Sequence, residues 1–288
     1  MKDLVDSLKS SESLVELITN KNICFCGPSP NIIDKNYGKY IDTFDNVCRV
    51  NLHITPKKYE KDYGKKTDIM FLGAWPVYDI NVRRHLFDYK NDNSKYNFLK
   101  ETKLLYFCDP IGDKLFRSIP YKQSDINQDI SWKNFEEKFK NDNFKYDFTD
   151  IKIRSNLRKY FIKKYNMPNY KNDEDLLDNK FLKLNSGINS ILIILKHKPK
   201  KLFITGMNFY NMGLGGLINN SVKINKYNKI INNVYIPGTT DTYNKNLIKK
   251  NYWCKGHISN MTLDFFKNLV YEYRDIIELD DFLKKKFS

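Results

Sequence analysis

The sequence predicts an α/β fold, a mostly parallel twisted sheet flanked by helices, and three observations carry that expectation. Short apolar runs alternate along the chain with segments whose apolar residues recur at helical spacing. The runs NICFCG and KLFITG end in glycine, at Gly27 and Gly206, as strands that deliver tight turns do. The length of 288 residues suits one α/β domain with insertions, residues 1–288, rather than two domains.

Taken in order, Leu4, Leu8, Leu14, Val15 and Leu17 fall at roughly helical spacing, so the first twenty residues predict helix. NICFCG, residues 22–27, predicts a strand and a glycine turn, and Ile32, Ile33, Tyr37 and Tyr40 predict the helix that follows. NVCRVNL from Asn46, DIMFLG from Asp68 and KLLYFC from Lys103 predict the next three strands. From Cys108 to Lys183 the pattern weakens, and polar stretches such as NFEEKFKNDNFKYDFTD predict short helices and loops rather than core strands. Residues 109–182 therefore form a small helical and loop insertion in this reading. Order returns where Ile188, Ile191, Leu192 and Leu195 share one helical stripe and KLFITG, residues 201–206, forms a buried strand. Leu263, Phe266, Leu269 and Val270 predict a last long helix, preceded by a loop that carries His257.

Composition narrows the function classes. Hydrophobic residues make up 41% and aromatics 15%, a globular composition despite a mean hydropathy of -0.61. The net charge of +15 would attract a polyanion, yet the lysines are scattered and no helix-turn-helix, zinc-finger or RRM signature is present. A solvated basic surface with no nucleic-acid partner is expected. Lys284, Lys285 and Lys286 give weak peripheral attraction to an anionic membrane. The cysteines, Cys24, Cys26, Cys48, Cys108 and Cys254, are odd in number and lack paired spacing, so neither a disulfide framework nor a zinc site is expected. Cys24 and Cys26 alternate inside an apolar run, as two small hydrophobes on one strand face would. No apolar stretch reaches the ~20 residues that span a bilayer, and the first twenty residues lack a signal-peptide core. The expected location is cytoplasmic.

Four places could carry chemistry. Gly27, followed by Pro28, Ser29 and Asn31, lacks a side chain and would let a phosphate or ribose approach the backbone, although an ordinary glycine turn has the same pattern. Ser186 and Gly187 open a helix whose free N–H groups suit a polar ligand, while Asn185 or Ser186 would serve equally as a plain N-cap. Gly206, Asn208 and Tyr210 gather after a strand, where an α/β sheet presents its ligand-facing edge, and packing alone would also account for Tyr210. His257 follows glycine in a polar loop. An imidazole with a pKa near 6.5 suits removal of a proton from an alcohol, though a loop histidine is equally a surface residue. His53, His85 and His197 are assigned structural roles.

In order, spacing and local sequence these segments resemble sialyltransferases. CFCGPSPNIIDKNYGKYIDTFDNVCRVNLHITPKKYEKDYGKKTD is similar to the large sialylmotif of the animal enzymes, with Tyr37-Gly38-x-x-Ile41-Asp42, Arg49-x-Asn51 and Gly64-x-Lys66-Thr67. LNSGINSILIILKHKPKKLFITGMNFY is similar to the small sialylmotif, and its Gly-Met-Asn-Phe-Tyr ending resembles the Gly-Ile-Asp-Phe-Tyr of bacterial lipooligosaccharide sialyltransferases. Gly256-His257 matches the late catalytic histidine of both groups.

The resemblance implies a Rossmann-like sheet of the GT-A-like variety, with residues 109–182 as an acceptor-side insertion or lid. It implies an inverting, metal-independent transfer of sialic acid from CMP-sialic acid to a glycan or glycolipid hydroxyl, with no cofactor. By the same resemblance Gly27, Ser29, Asn31 and Asn51 meet the donor's phosphate and ribose. Ser186 and Gly187 meet the cytidine, and Asn185, Gly206 and Asn208 complete the nucleotide site. Lys183 stands where the bacterial enzymes carry arginine, Tyr210 contacts the leaving phosphate, and His257 is the base. Two alternatives stay open: a transferase for another CMP- or nucleotide-activated sugar, and an inactive transferase-like basic binding protein.

Overall fold

The computed structural model describes residues 1–50, 57–72, 101–108, 145–149, 186–207 and 260–287, with Thr55, Tyr160, Lys163 and Lys164. Its centre is a seven-stranded sheet made of β1 (Asn22–Cys26), β2 (Asn46–Val50), β3 (Ile69–Leu72), β4 (Leu104–Phe107), β5 (Tyr146–Phe148), β6 (Lys201–Thr205) and β7 (Ile277–Leu279). The spatial order is β5-β4-β3-β2-β1-β6-β7, and every neighbouring pair is parallel. The chain steps outward from β1 to β5 and then returns to the other side of β1 as β6. The strand order thus reverses between β1 and β6, and in an open α/β sheet that reversal opens a crevice at the carboxyl ends of the two strands.

Helices α1 (Lys2–Asp6), α2 (Glu12–Ile18), α3 (Gly38–Ile41), α4 (Glu60–Tyr63), α5 (Ser186–Lys196), α6 (Asn260–Glu272) and α7 (Asp281–Phe287) cover the sheet. Successive side chains of β1 enter opposite layers, as the pleat requires. Ile23 and Phe25 join one core with Leu14, Leu192, Ile194 and Phe266, whereas Cys24 and Cys26 join a second with Ile41, Phe44, Tyr63 and Phe203. The two cysteines do share one face of a buried strand. Burial of both faces is why β3 and β4 are apolar at every position instead of alternating.

Three expectations change. The N-terminal helix divides in two, because the Ser7 hydroxyl turns back to the Leu4 carbonyl and Ser11 then caps α2 by accepting from the Leu14 N–H. The helix expected after β1 is reduced to a 3-10 turn, Pro30–Ile32, and the short α3. Asp34 and Asn36, with φ of 63° and 57°, interrupt it. The segment expected to hold only short helices and loops contributes the edge strand β5, whose three residues include a half-buried Asp147 and so leave no apolar run to detect. Most of residues 109–182 lies outside the described residues.

Candidate functional site

The two glycines that end β1 and β6 meet at the point where the strand order reverses. Gly27 N–H donates to the Thr205 carbonyl at 2.9 Å, and Ser29 N–H donates to the Gly206 carbonyl at 2.8 Å. A Cβ on Gly27 would stand 2.4 Å from the Gly206 oxygen, and one on Gly206 only 2.2 Å from the Gly27 oxygen. Gly206 also has φ +66°, which an L side chain rarely adopts. Two separate sequence signals therefore form one structure, a backbone crossing without side chains on the floor of the crevice.

The loop after this crossing carries Ser29 and Asn31, 8% and 9% exposed. Among the described residues, neither the Ser29 hydroxyl nor either amide atom of Asn31 has a hydrogen-bond partner. Buried polar groups are nearly always paired, so three such atoms on two residues of one loop are what a polar ligand would satisfy. The loop itself is held, since the Tyr63 hydroxyl donates to the Ser29 carbonyl at 2.7 Å. Ser186 and Gly187 are half-buried at the start of α5, where free N–H groups and the positive end of the helix favour an anion or carbonyl. In the first turn of α5 the Asn189 side-chain oxygen is also buried without a partner among the described residues.

The large motif explains itself as a brace beneath this loop. Arg49 is fully buried on β2 and donates from Nη2 to the carbonyls of Tyr63 (2.7 Å) and Gly64 (3.1 Å), and from Nε to Lys66 O (3.1 Å) and Thr67 Oγ1 (2.9 Å). The Asp42 carboxylate accepts from the N–H groups of Lys65 and Lys66. Tyr37-Gly38-x-x-Ile41-Asp42, Arg49 and Gly64-x-Lys66-Thr67 are thus one hydrogen-bonded unit that fixes Tyr63, and Tyr63 fixes Ser29. Burial pushes the Cys26 thiol up and the neighbouring Arg49 guanidinium pulls it back. Arg49 Nη1 has no hydrogen-bond partner among the described residues.

On the other side, Asp280 follows β7 and is 2% exposed. Its carboxylate accepts from the Thr205 hydroxyl, the Gly206 N–H and the Leu283 N–H. Sequence reading passed over this residue because Glu278 breaks the three-residue β7 before it; the signal available was an acidic residue directly before a helix.

Asn51, Lys183, Asn185, Asn208, Tyr210 and His257 lie outside the described residues, as do His53 and His85. The site residues brought together are Gly27, Ser29 and Gly206, with Asn31 on the same loop, while Ser186 and Gly187 begin the helix that leads into β6. His197 is structural. It is buried, its Nε2 accepts from the Ser11 N–H at 3.0 Å, and its Nδ1 therefore carries the proton that Ile193 O accepts at 2.7 Å. Among the described residues no group of three His, Cys, Asp or Glu side chains could hold a metal ion, and no helix is long and apolar enough to cross a membrane.

No curated protein sequence matches the chain. Among solved structures it is similar to the sialyltransferase CstII from Campylobacter jejuni in complex with the substrate analogue CMP-3FNeuAc, at 15% identity and TM-score 0.40, over 90% of this chain and 79% of that one. It is also similar to a mammalian sialyltransferase in complex with Gal-beta-1-3GalNAc-ortho-nitrophenol, at 14% identity and TM-score 0.33, over 72% of this chain and 64% of that one. The sequence model of glycosyltransferase family 29 (sialyltransferase) matches residues 9–173, more than half of the chain and all of the bracing unit from Tyr37 to Thr67. On that match the chain belongs to glycosyltransferase family 29, the sialyltransferases.

Proposed function

We propose that this sialyltransferase moves sialic acid from CMP-sialic acid to a glycan hydroxyl, with inversion and without a metal. The observation that supports the donor site is the β1–β6 switch point: two glycines that admit close backbone approach, next to a buried Asn31 amide and Ser29 hydroxyl with no partner among the described residues. A ribose and a phosphate offer the hydroxyls and oxygens that such groups pair with. Gly27, Ser29, Asn31 and Asn51 are assigned to the ribose and phosphate. Ser186 and Gly187 are assigned to the cytosine, with Lys183, Asn185, Gly206 and Asn208 around them.

In the proposed reaction the acceptor oxygen attacks the anomeric carbon from the face opposite the phosphate. As the new carbon–oxygen bond forms, the bond to the phosphate oxygen breaks and CMP leaves with the electron pair. His257 takes the acceptor's proton, and Tyr210 donates a hydrogen bond to the departing phosphate. A monophosphate leaving group carries little enough charge for hydroxyl and N–H donors to stabilise it, which is the support for a metal-free mechanism.

Turnover of CMP-sialic acid by the wild type and by His257→Ala tests the proposal. CMP at about 100 times its Kd stabilises the native state by ~2.7 kcal/mol, visible as a raised Tm. Loss of the base lowers kcat by about 10²–10⁴ while CMP still binds, and activity persists in EDTA. Product from a different CMP-sugar alone would move the assignment to that donor. An inert wild type that binds nucleic acid with a steep salt dependence would replace it with a basic binding protein, the reading that the charge of +15 keeps in play.

A further inference from the structure

Asp280 holds a position that the transfer chemistry does not use. Its Oδ1 accepts from the Leu283 N–H at 2.8 Å, which caps α7, and its Oδ2 accepts from the Thr205 hydroxyl at 2.8 Å and the Gly206 N–H at 3.2 Å. Its own N–H donates to the Ile204 carbonyl at 3.1 Å. Burial raises its carboxyl above the ordinary range, and the bonds from Leu283, Thr205 and Gly206 pull it back. A helix cap needs a single acceptor, which serine or threonine supplies without burying a charge. The second oxygen is therefore the informative one.

That oxygen grips Gly206 at its N–H, while Ser29 N–H grips the same residue at its carbonyl, 2.8 Å away. Gly206 has no side chain and φ of +66°, so these two bonds, one at each end, set a conformation that nothing else in the residue determines. Through Gly206 the carboxylate sets where the loop of Ser29 and Asn31 stands.

We infer that Asp280 is a positioning residue for the donor nucleotide, acting through Thr205 and Gly206 on the loop that bears Ser29 and Asn31. The inference rests on the CMP-donor reading above. A site whose supporting shell is loosened loses the geometry that makes its contacts productive, even when the contacting residues are intact.

Three variants separate this role from helix capping. Asp280→Ser keeps an acceptor for the Leu283 N–H and deprives Thr205 and Gly206 of theirs. Thr205→Val removes one hydroxyl, and Thr205→Ser restores it. The measurements are calorimetric titration with CMP, steady-state kinetics with CMP-sialic acid, and Tm. Asp280→Ser is expected to raise both the Kd for CMP and the KM for the donor about tenfold, with kcat changed less than twofold and Tm lowered by several degrees, because two buried donors lose their acceptor. Thr205→Val moves Kd and KM in the same direction by a smaller factor, and Thr205→Ser returns them to the wild-type values. A lowered Tm with unchanged Kd and KM in Asp280→Ser reduces the residue to a helix cap and overturns the inference. Should Asp280→Ser not fold, the Thr205 pair decides alone: equal affinities in Thr205→Val and Thr205→Ser overturn it. A wild type that binds no CMP refutes the donor reading and this inference with it, whereas binding by the wild type that Asp280→Ser matches refutes this inference alone.

Discussion

The two sides of the β1–β6 crossing treat their polar groups in opposite ways. On the β1 side the Ser29 hydroxyl and both amide atoms of Asn31 are buried and unpaired among the described residues. On the β6 side the Thr205 hydroxyl, the Gly206 N–H and the Asp280 carboxylate are buried and paired with one another. Each unpaired buried group costs ~1–3 kcal/mol, so the β1 loop holds stability in reserve for whatever completes its bonds, and the β6 side spends its groups on holding the crossing still. The contrast teaches that binding and rigidity are divided between two strands that lie next to each other in the sheet and far apart in the chain.

The crossing is the joint on which both sides depend, so breaking it has the largest effect. Gly206→Ala must place a Cβ 2.2 Å from the Gly27 oxygen and hold an L-residue at φ +66°. Gly27→Ala meets the first problem alone, at 2.4 Å from the Gly206 oxygen. The left-handed conformation costs roughly 1–2 kcal/mol before any overlap is counted, so Gly206→Ala is expected to lose on the order of 3 kcal/mol or more, ~6 °C in Tm, and Gly27→Ala less. Thermal unfolding of the two purified variants checks the ranking. Equal Tm values for both variants and the wild type would show that the strands can part without cost.

The second break falls on the β1 side alone and carries opposite signs for stability and binding. Replacement of a well-packed, fully satisfied residue destabilises, but Asn31 is 9% exposed with both amide atoms unpartnered. Asn31→Ala removes a desolvated amide that gains nothing in the free protein, so Tm is expected to stay level or rise by a few degrees, while the Kd for CMP rises about tenfold. Differential scanning calorimetry with and without CMP reads both numbers from one sample. A fall in Tm with unchanged affinity would mean that Asn31 serves the fold and not the ligand.

How much of this the sequence disclosed follows from the same division. β1, β2, β3, β4 and β6 were legible because parallel strands covered on both faces are predominantly apolar, with Arg49 the one charge inside β2. β5 and β7, three residues each at the sheet edges, mix Asp147 and Glu278 into their triplets and offer no such run. Gly27 and Gly206 were each visible as a glycine after a strand, but their contact is tertiary, and no spacing rule encodes it. The resemblance of Tyr37 to Thr67 to a sialylmotif marked the right segment. What the motif residues do there is set by tertiary contact, in which Arg49 and Asp42 bond the backbone of residues 63–66 and Arg49 also bonds the Thr67 hydroxyl. Asp280 stayed hidden because its partners, Thr205 and Gly206, belong to a different strand.

The smallest effect tests one further satisfied group on the approach to β6. His197 follows α5 on the approach to β6 and is 3% exposed, with both ring nitrogens engaged. Since Nε2 accepts from the Ser11 N–H, the folded state requires the neutral ring, and a second proton would point at that N–H. Burial lowers the imidazole below its ordinary value; the Ile193 carbonyl and Asp147 raise it, and Lys196 lowers it further. The folded-state pKa is thus depressed, so the unfolded chain takes up its proton first as pH falls. The stability that the neutral ring contributes is complete above the unfolded-state value near 6.5 and is lost as pH drops through the folded-state value. His197→Gln does not titrate, so the free-energy gap between wild type and variant isolates this group from the other carboxylates and histidines. Urea unfolding at pH 8 and pH 5 should show the wild type ahead at pH 8 and the gap narrowed at pH 5. A gap that is constant or wider at pH 5 would mean that His197 carries a proton in the folded protein and that its bond with Ser11 N–H is not what joins α2 to the β6 side.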